Sequence, residues 1–214
     1  MIKRIIVICG ASASGKDTVA RLLAHFLITQ GYDAGLVVSD TTRPQRSGEK
    51  DGIDYNFRTK EQFLSQLDQY IEHDCFRGWY YGTNYDALSY EYNVVVLTLE
   101  GYKKLREQFG KIVDLIILEA PTLVRLQRSI QREGRFRFEH LRRAIVDRKV
   151  FNDKQYWKYQ ISGCRIRQTY TDVHIYCYYH GQCGIVETVS LLSLLTNKLI
   201  LGKIIGQNII TSYI

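Results

Sequence analysis

A chain of 214 residues, 45% apolar, with 16 glycines and only 2 prolines, is long enough to bury one full core and too apolar for a disordered or low-complexity protein. Its net charge of +7 suits a polyanionic ligand but does not choose between a nucleotide and a nucleic acid. Five scattered cysteines are an odd number and not the even framework of a small secreted domain, so a reducing cytoplasm is expected.

Residues 5–9 form an apolar run of strand length. The run is too short for a signal peptide, no small-residue cleavage site closes it, and glycine-rich sequence follows at once, so a buried strand is expected. Val19, Leu22, Leu23 and Phe26 then repeat at i, i+3, i+4 and i+7, the period of one helix face. Further strand-length runs lie at 34–38, 94–99, 112–118 and 173–178, and a second helical repeat, Leu123, Leu126 and Ile130, follows Pro121. Strand alternates with helix, which predicts an α/β fold: a five-stranded parallel sheet flanked by helices.

Two stretches rich in charged residues, tyrosine and glycine, 39–93 and 135–170, interrupt the alternation. They read as insertions at the carboxyl ends of strands, where open α/β sheets bind ligands, within one domain whose core is 1–38, 94–134 and 171–200. The apolar stretch 184–214 is broken by Glu187, Lys198 and Lys203. No uncharged run there reaches the roughly 18–20 residues of a membrane span, so a packing helix and a 201–214 tail of unassigned role are expected.

Gly10-Ala11-Ser12-Ala13-Ser14-Gly15-Lys16 follows the first strand and opens the first helix, the context a Walker A loop requires. The backbone amides from Ala11 to Thr18 and the positive end of the helix would surround the phosphates of ATP, with Lys16 as a point charge near the transferred group. Asp17 stands where a hydroxyl residue usually follows the lysine. Mg²⁺ accompanying ATP would then be held through water or by the Asp17 carboxylate, with Thr18 donating to a phosphate.

The segment 39–57 carries Arg43 and Arg46 three apart in a loop marked by proline and glycine. Guanidinium forks suit a phosphate dianion, and Tyr55 and Tyr81 could donate phenolic hydrogen bonds to the same group. Guanine presents N1–H and N2–H side by side, which one carboxylate can accept together and adenine cannot match; Glu72 is the candidate.

These residues resemble the guanylate kinases, whose acceptor segment reads T-T-R-x-x-R-x-G-E-x-[DN]-G-x-D-Y-x-F; here Thr41 to Phe57 fits it, and Glu72 lies nine residues before the tyrosine of Tyr81-Gly82-Thr83. The resemblance is specific over about residues 5–100 and looser beyond. It implies that Arg43, Arg46, Tyr55 and Tyr81 bind the phosphate of GMP, that Glu72 and Thr83 read the base, and that Ser39 and Glu100 complete the site. Glu100 stands where the family has aspartate, and Thr98 is a further departure. The resemblance also implies the P-loop NTPase fold, with an NMP-binding insertion at 39–93 and a lid at 135–170. The arginines closest to those of the family lid are Arg128, Arg132 and Arg143.

On the helix after Pro121, Arg125, Arg128 and Arg132 line one side and Leu123, Leu126 and Ile130 the other, which leaves the arginine side to face a ligand. Phosphoryl transfer asks little covalent chemistry of a protein, so Lys16, Arg43, Arg132 and Arg143 are the expected catalytic charges.

His174, Cys177, His180 and Cys183 recur every third residue, but on a strand successive members point to opposite faces, so no zinc site is assigned. The aromatic and basic residues of 151–179 carry no nucleic-acid motif and read as packing under the lid. The expected activity is ATP-dependent phosphorylation of GMP or dGMP, by a monomer or homodimer with no specific nucleic acid and no membrane as partner. The rival readings are ribose 1,5-bisphosphate phosphokinase, favoured by Asp17, a non-catalytic guanylate kinase-like interaction domain, and a nucleic-acid-binding ATPase.

Overall fold

The computed structural model describes residues 1–76, 78–134, 136, 138, 140–142 and 145–147, and the backbone of two further strands, Arg165–Tyr170 and Val173–Tyr178. Strand β1 (Arg4–Gly10) runs through the middle of the main sheet and is buried on both faces. Ile6, Ile8 and Val94 face helix α1 (Lys16–Thr29) with its Leu23, Ala24 and Leu27, while Ile5, Val7 and Cys9 face helix α3 (Leu99–Phe109) with its Tyr102 and Leu105. The alternation of a strand buried on both sides thus builds two half-cores. Each fully buried leucine contributes about 1.5–3 kcal/mol.

The main sheet has the order β2 (Ala34–Leu36), β7 (Tyr92–Val96), β1, β8 (Val113–Glu119), β10 (Val173–Tyr178), β9 (Arg165–Tyr170). The first four strands are parallel, with β1 paired to β7 on one side and β8 on the other. The expectation of five parallel strands is corrected at the far edge. β10 enters the sheet but runs antiparallel to β8, and β9, from the end of the range assigned to the lid, adds a sixth strand antiparallel to β10. Only two residues separate β9 from β10, and so short a connection joins strands antiparallel, since a parallel pair needs a crossover of about a dozen residues.

The residues between β2 and β7 build a separate four-stranded sheet in the order β4 (Asn56–Phe57), β3 (Asp40–Thr41), β6 (Trp79–Asn84), β5 (Tyr70–Phe76). Helix α2 (Lys60–Leu64) starts with a capping box of Thr59 and Gln62 and buries Phe63 beneath this sheet, stacked on Tyr70 at 4.4 Å. Buried Asp40 ties the strands together, accepting from Tyr70 Oη and Asn56 Nδ2 at 2.7 Å each.

Helix α4 (Thr122–Glu133) presents a different face from the one its apolar repeat suggested. Arg125 and Ser129 are buried, whereas Leu123 is 79% exposed. Arg125 can be buried because backbone and side-chain acceptors meet its guanidinium. Among the described residues, no helix is long and apolar enough to cross a membrane, and Cys9 and Cys75 are free thiols. Arg143, most of the 135–170 range, His180, Cys183, the expected packing helix and the 201–214 tail lie outside the described residues.

Candidate active site

The phosphate loop leaves β1 at Gly10, where φ is +153° and a Cβ would lie 2.5 Å from Leu118 O, so only glycine fits. Ser14 N–H donates to Ala11 O at 3.1 Å, and the chain turns into α1 through Gly15, at φ +100°. Between them Ala13 holds φ 59°, the one positive φ carried by a non-glycine residue among those described. The Lys16 ammonium donates back to Ala11 O at 3.0 Å; burial pushes its pKa down, with Asp17, Cys9 and Asp147 pulling the other way. Asp17 and Thr18 are exposed on the first turn of α1. Ser14 Oγ is buried with no hydrogen-bond partner, and Ser12 N–H donates to Asp147 Oδ2 at 2.8 Å.

The candidate acceptor residues come together on the small sheet and its loop. Arg43 is buried and forks onto Glu49, Nη2 meeting both carboxylate oxygens at 2.9 Å, while Nη1 donates to Pro44 O at 2.7 Å. The Arg43 guanidinium lies 5.5 Å from the Tyr55 ring, and Tyr55 packs edge-on to Tyr81 at 6.1 Å. Glu49 also accepts from Arg46 N–H at 2.8 Å and pairs with the Arg46 guanidinium at 3.9 Å. Burial raises the Tyr55 phenol to about 12, helped by Asp17 across the cleft, so it remains a hydrogen-bond donor at any physiological pH.

Glu72, 7% exposed, ends a chain of hydrogen bonds: Ser39 Oγ lies 3.0 Å from Thr83 Oγ1, which donates to Glu72 Oε1 at 2.8 Å. Burial pushes the Glu72 carboxyl above its ordinary range; the Thr83 hydrogen bond and Lys104 oppose that. Burial pushes the Cys9 thiol up, with Lys16 opposing and Glu72 adding to the shift. Arg21 on α1 pairs with Asp54 at 2.6 Å, which ties the loop carrying Arg43 and Arg46 to the first helix.

Glu100 does not join this group. Its side chain is 67% exposed and paired with Lys103 at 2.7 Å. Thr98 caps α3 by accepting from Gly101 N–H at 3.1 Å, and this turns residue 101 inward and residue 100 outward. Gly101 takes the place against Glu72. A glycine inside a helix, where it costs about 1 kcal/mol relative to alanine, was the available signal for it. Asp147, also missed, had none. On α4, Arg128 is half-buried and Arg132 exposed, and the arginine that reaches the phosphate loop among the described residues is Arg125. No group of three or more His, Cys, Asp or Glu residues set for a metal occurs among the described residues.

Residues 2–176 match the family model described as guanylate kinase. The guanylate kinase of Chlorobaculum tepidum is 36% identical over 135 residues, covering 60% of this chain and 67% of that protein. The guanylate kinase of a Synechococcus species is 30% identical over 183 residues, 82% of each chain. The crystal structure of guanylate kinase from Anaplasma phagocytophilum aligns with 68% of this chain and 70% of its own, at 24% identity and a TM-score of 0.47.

Proposed function

This chain belongs to the guanylate kinase family, and we propose that it moves the terminal phosphoryl group of ATP directly onto GMP or dGMP in the cytoplasm, with no covalent enzyme intermediate. The observation that carries this reading is the chain from Ser39 through Thr83 to the buried Glu72 carboxylate. An ionised carboxylate held there accepts both N1–H and N2–H of guanine, and a base without that pair leaves buried polar groups unmatched.

Arg43, Arg46, Tyr55 and Tyr81 would hold the acceptor phosphate. The phosphate dianion replaces Glu49 on the Arg43 fork, one anion exchanging for another on a guanidinium already in position. Lys16 and the amides of the phosphate loop hold the donor, and Arg128, Arg132 and Arg143, the arginines closest to those of the family lid, would attend its phosphates. Positive charge from Lys16, Arg43, Arg132 and Arg143 around the equatorial oxygens, together with in-line placement and exclusion of water, supplies the rate.

Mg²⁺ is bound in such sites by one or two carboxylates plus substrate phosphates and water, and the exposed Asp17 and Thr18 beside the phosphate loop fit that requirement. Bound there with ATP, the ion would neutralise charge on the phosphate oxygens. Asp17 also favours a second reading, ribose 1,5-bisphosphate phosphokinase. A coupled assay of ADP release against GMP, dGMP, AMP, CMP, UMP and ribose 1,5-bisphosphate separates the two. Turnover with GMP or dGMP is expected, and turnover with the bisphosphate alone would replace the first reading by the second.

A further inference from the structure

Asp147 Oδ2 sits where two donors converge: Ser12 N–H of the phosphate loop at 2.8 Å and Arg125 Nη1 at 3.0 Å. A single oxygen held by a loop amide and a guanidinium occupies the kind of place a phosphate oxygen takes. We propose that Ser12 N–H and Arg125 form a seat for an oxygen of the terminal phosphate of ATP, and that the Asp147 carboxylate fills this seat until the nucleotide displaces it. The proposal rests on ATP being the donor, and it makes Arg125 a catalytic cation beyond Lys16 and the lid arginines.

Three features support the seat. First, the Arg125 guanidinium is held independently of Asp147: Nε donates to Ala120 O at 3.1 Å, Nη2 to Thr122 Oγ1 at 3.3 Å and Nη1 to Ser12 O at 3.4 Å. When the carboxylate leaves, the fork remains aimed at the loop. Second, α4 buries the Arg125 side chain to 7% exposure while leaving Leu123 at 79%. Desolvating a guanidinium in preference to a leucine is unfavourable unless an anion meets it. Third, Asp147 and Arg125 both act on the Lys16 ammonium, in opposite directions, which puts the pair beside the group expected to attend the transferred phosphoryl.

The two partners differ in how easily they withdraw. The Asp147 side chain is 20% exposed and can turn to solvent, whereas Arg125 is anchored on three sides. ATP, carrying one more phosphate than ADP, is the ligand that competes for the seat.

The test measures ATP and ADP affinities of the full-length chain by titration calorimetry, for wild type, Asp147→Asn and Arg125→Met. Asp147→Asn, which keeps the shape and removes the competing charge, should tighten ATP about fivefold and leave ADP unchanged. Arg125→Met should weaken ATP about tenfold more than it weakens ADP. An ATP-to-ADP affinity ratio unchanged in both variants would overturn the seat and leave the pair as a structural anchor. Should Arg125→Met fail to fold, the Asp147→Asn ratio decides alone. Wild-type protein that binds neither nucleotide would instead sink the reading of ATP as donor, a distinct result.

Discussion

Gly101 of α3 lies against Glu72 of the small sheet, so close that a Cβ at position 101 would come within 3.1 Å of Glu72 Oε2. The core thereby positions a carboxylate that the small sheet carries.

Gly101→Ala should push that carboxylate by a few tenths of an ångström. The expected outcome is a KM for GMP raised about tenfold with KM for ATP unchanged. Helix stability gains up to about 1 kcal/mol from the same change, so a melt showing no loss of fold would separate misplacement from unfolding. Steady-state kinetics with each substrate varied in turn checks it.

Glu72→Gln should raise KM for GMP by about two orders of magnitude, because the amide turns a donor toward the donors of guanine. The pH dependence follows from the burial that raises the Glu72 pKa above its usual 4.5. On the proposed reading GMP binds the ionised form, so kcat/KM for GMP in wild type should fall on the acid side starting above the ordinary carboxylate range, and this limb should vanish in the variant. For folding the sign is the reverse: a raised carboxyl favours the folded chain at low pH and loses that contribution as pH rises through the folded value.

Ala13 keeps a left-handed φ of 59° in the phosphate loop, a conformation that costs a side-chain-bearing residue about 1–2 kcal/mol. Ala13→Gly removes that strain but adds unfolded-state freedom, for a net stabilisation of about 0.5–1 kcal/mol. Urea unfolding should show the midpoint rise, with KM for ATP changed by less than about twofold.

Asp114 lies at the start of β8, at the end of the sheet away from the phosphate loop, and burial raises its carboxyl to about 6 from 3.8, against the opposing pull of Arg4 and Arg106. The folded chain therefore binds a proton more tightly than the unfolded one. Stability is highest below pH 3.8 as far as this group is concerned, and falls through pH 6. Asp114→Asn should stabilise the protein at pH 7 by at most about 3 kcal/mol and have little effect at pH 4. Thermal melts at the two pH values give the difference directly.

Much of the candidate site's geometry was legible because its grammar is local. The phosphate loop is a strand, five residues and a helix; Arg43, Arg46 and Glu49 share one loop; and Glu72 faces Thr83 across a single hairpin, with Tyr81 two residues before Thr83. Spacing over a few residues determines such arrangements, since backbone geometry fixes which side chains can meet. The existence of the strand at 173–178 was legible too, from its apolar composition.

Its direction was not, because an apolar run looks the same whichever way it pairs, and RIRQTY of β9 has a single aliphatic residue to announce a strand. Nor could helical period alone say which stripe of α4 turns inward: Arg125 wins over Leu123 because its partners, Ser12 and Asp147, are brought to it from 113 and 22 residues away. The choice of Gly101 over Glu100 likewise depended on the Thr98 cap, which sets the rotation of α3 against a sheet that local sequence does not see. The chain's own sequence determined the chemistry available at each loop; only tertiary packing decided which charges face one another, because that depends on the relative orientation of elements distant along the chain.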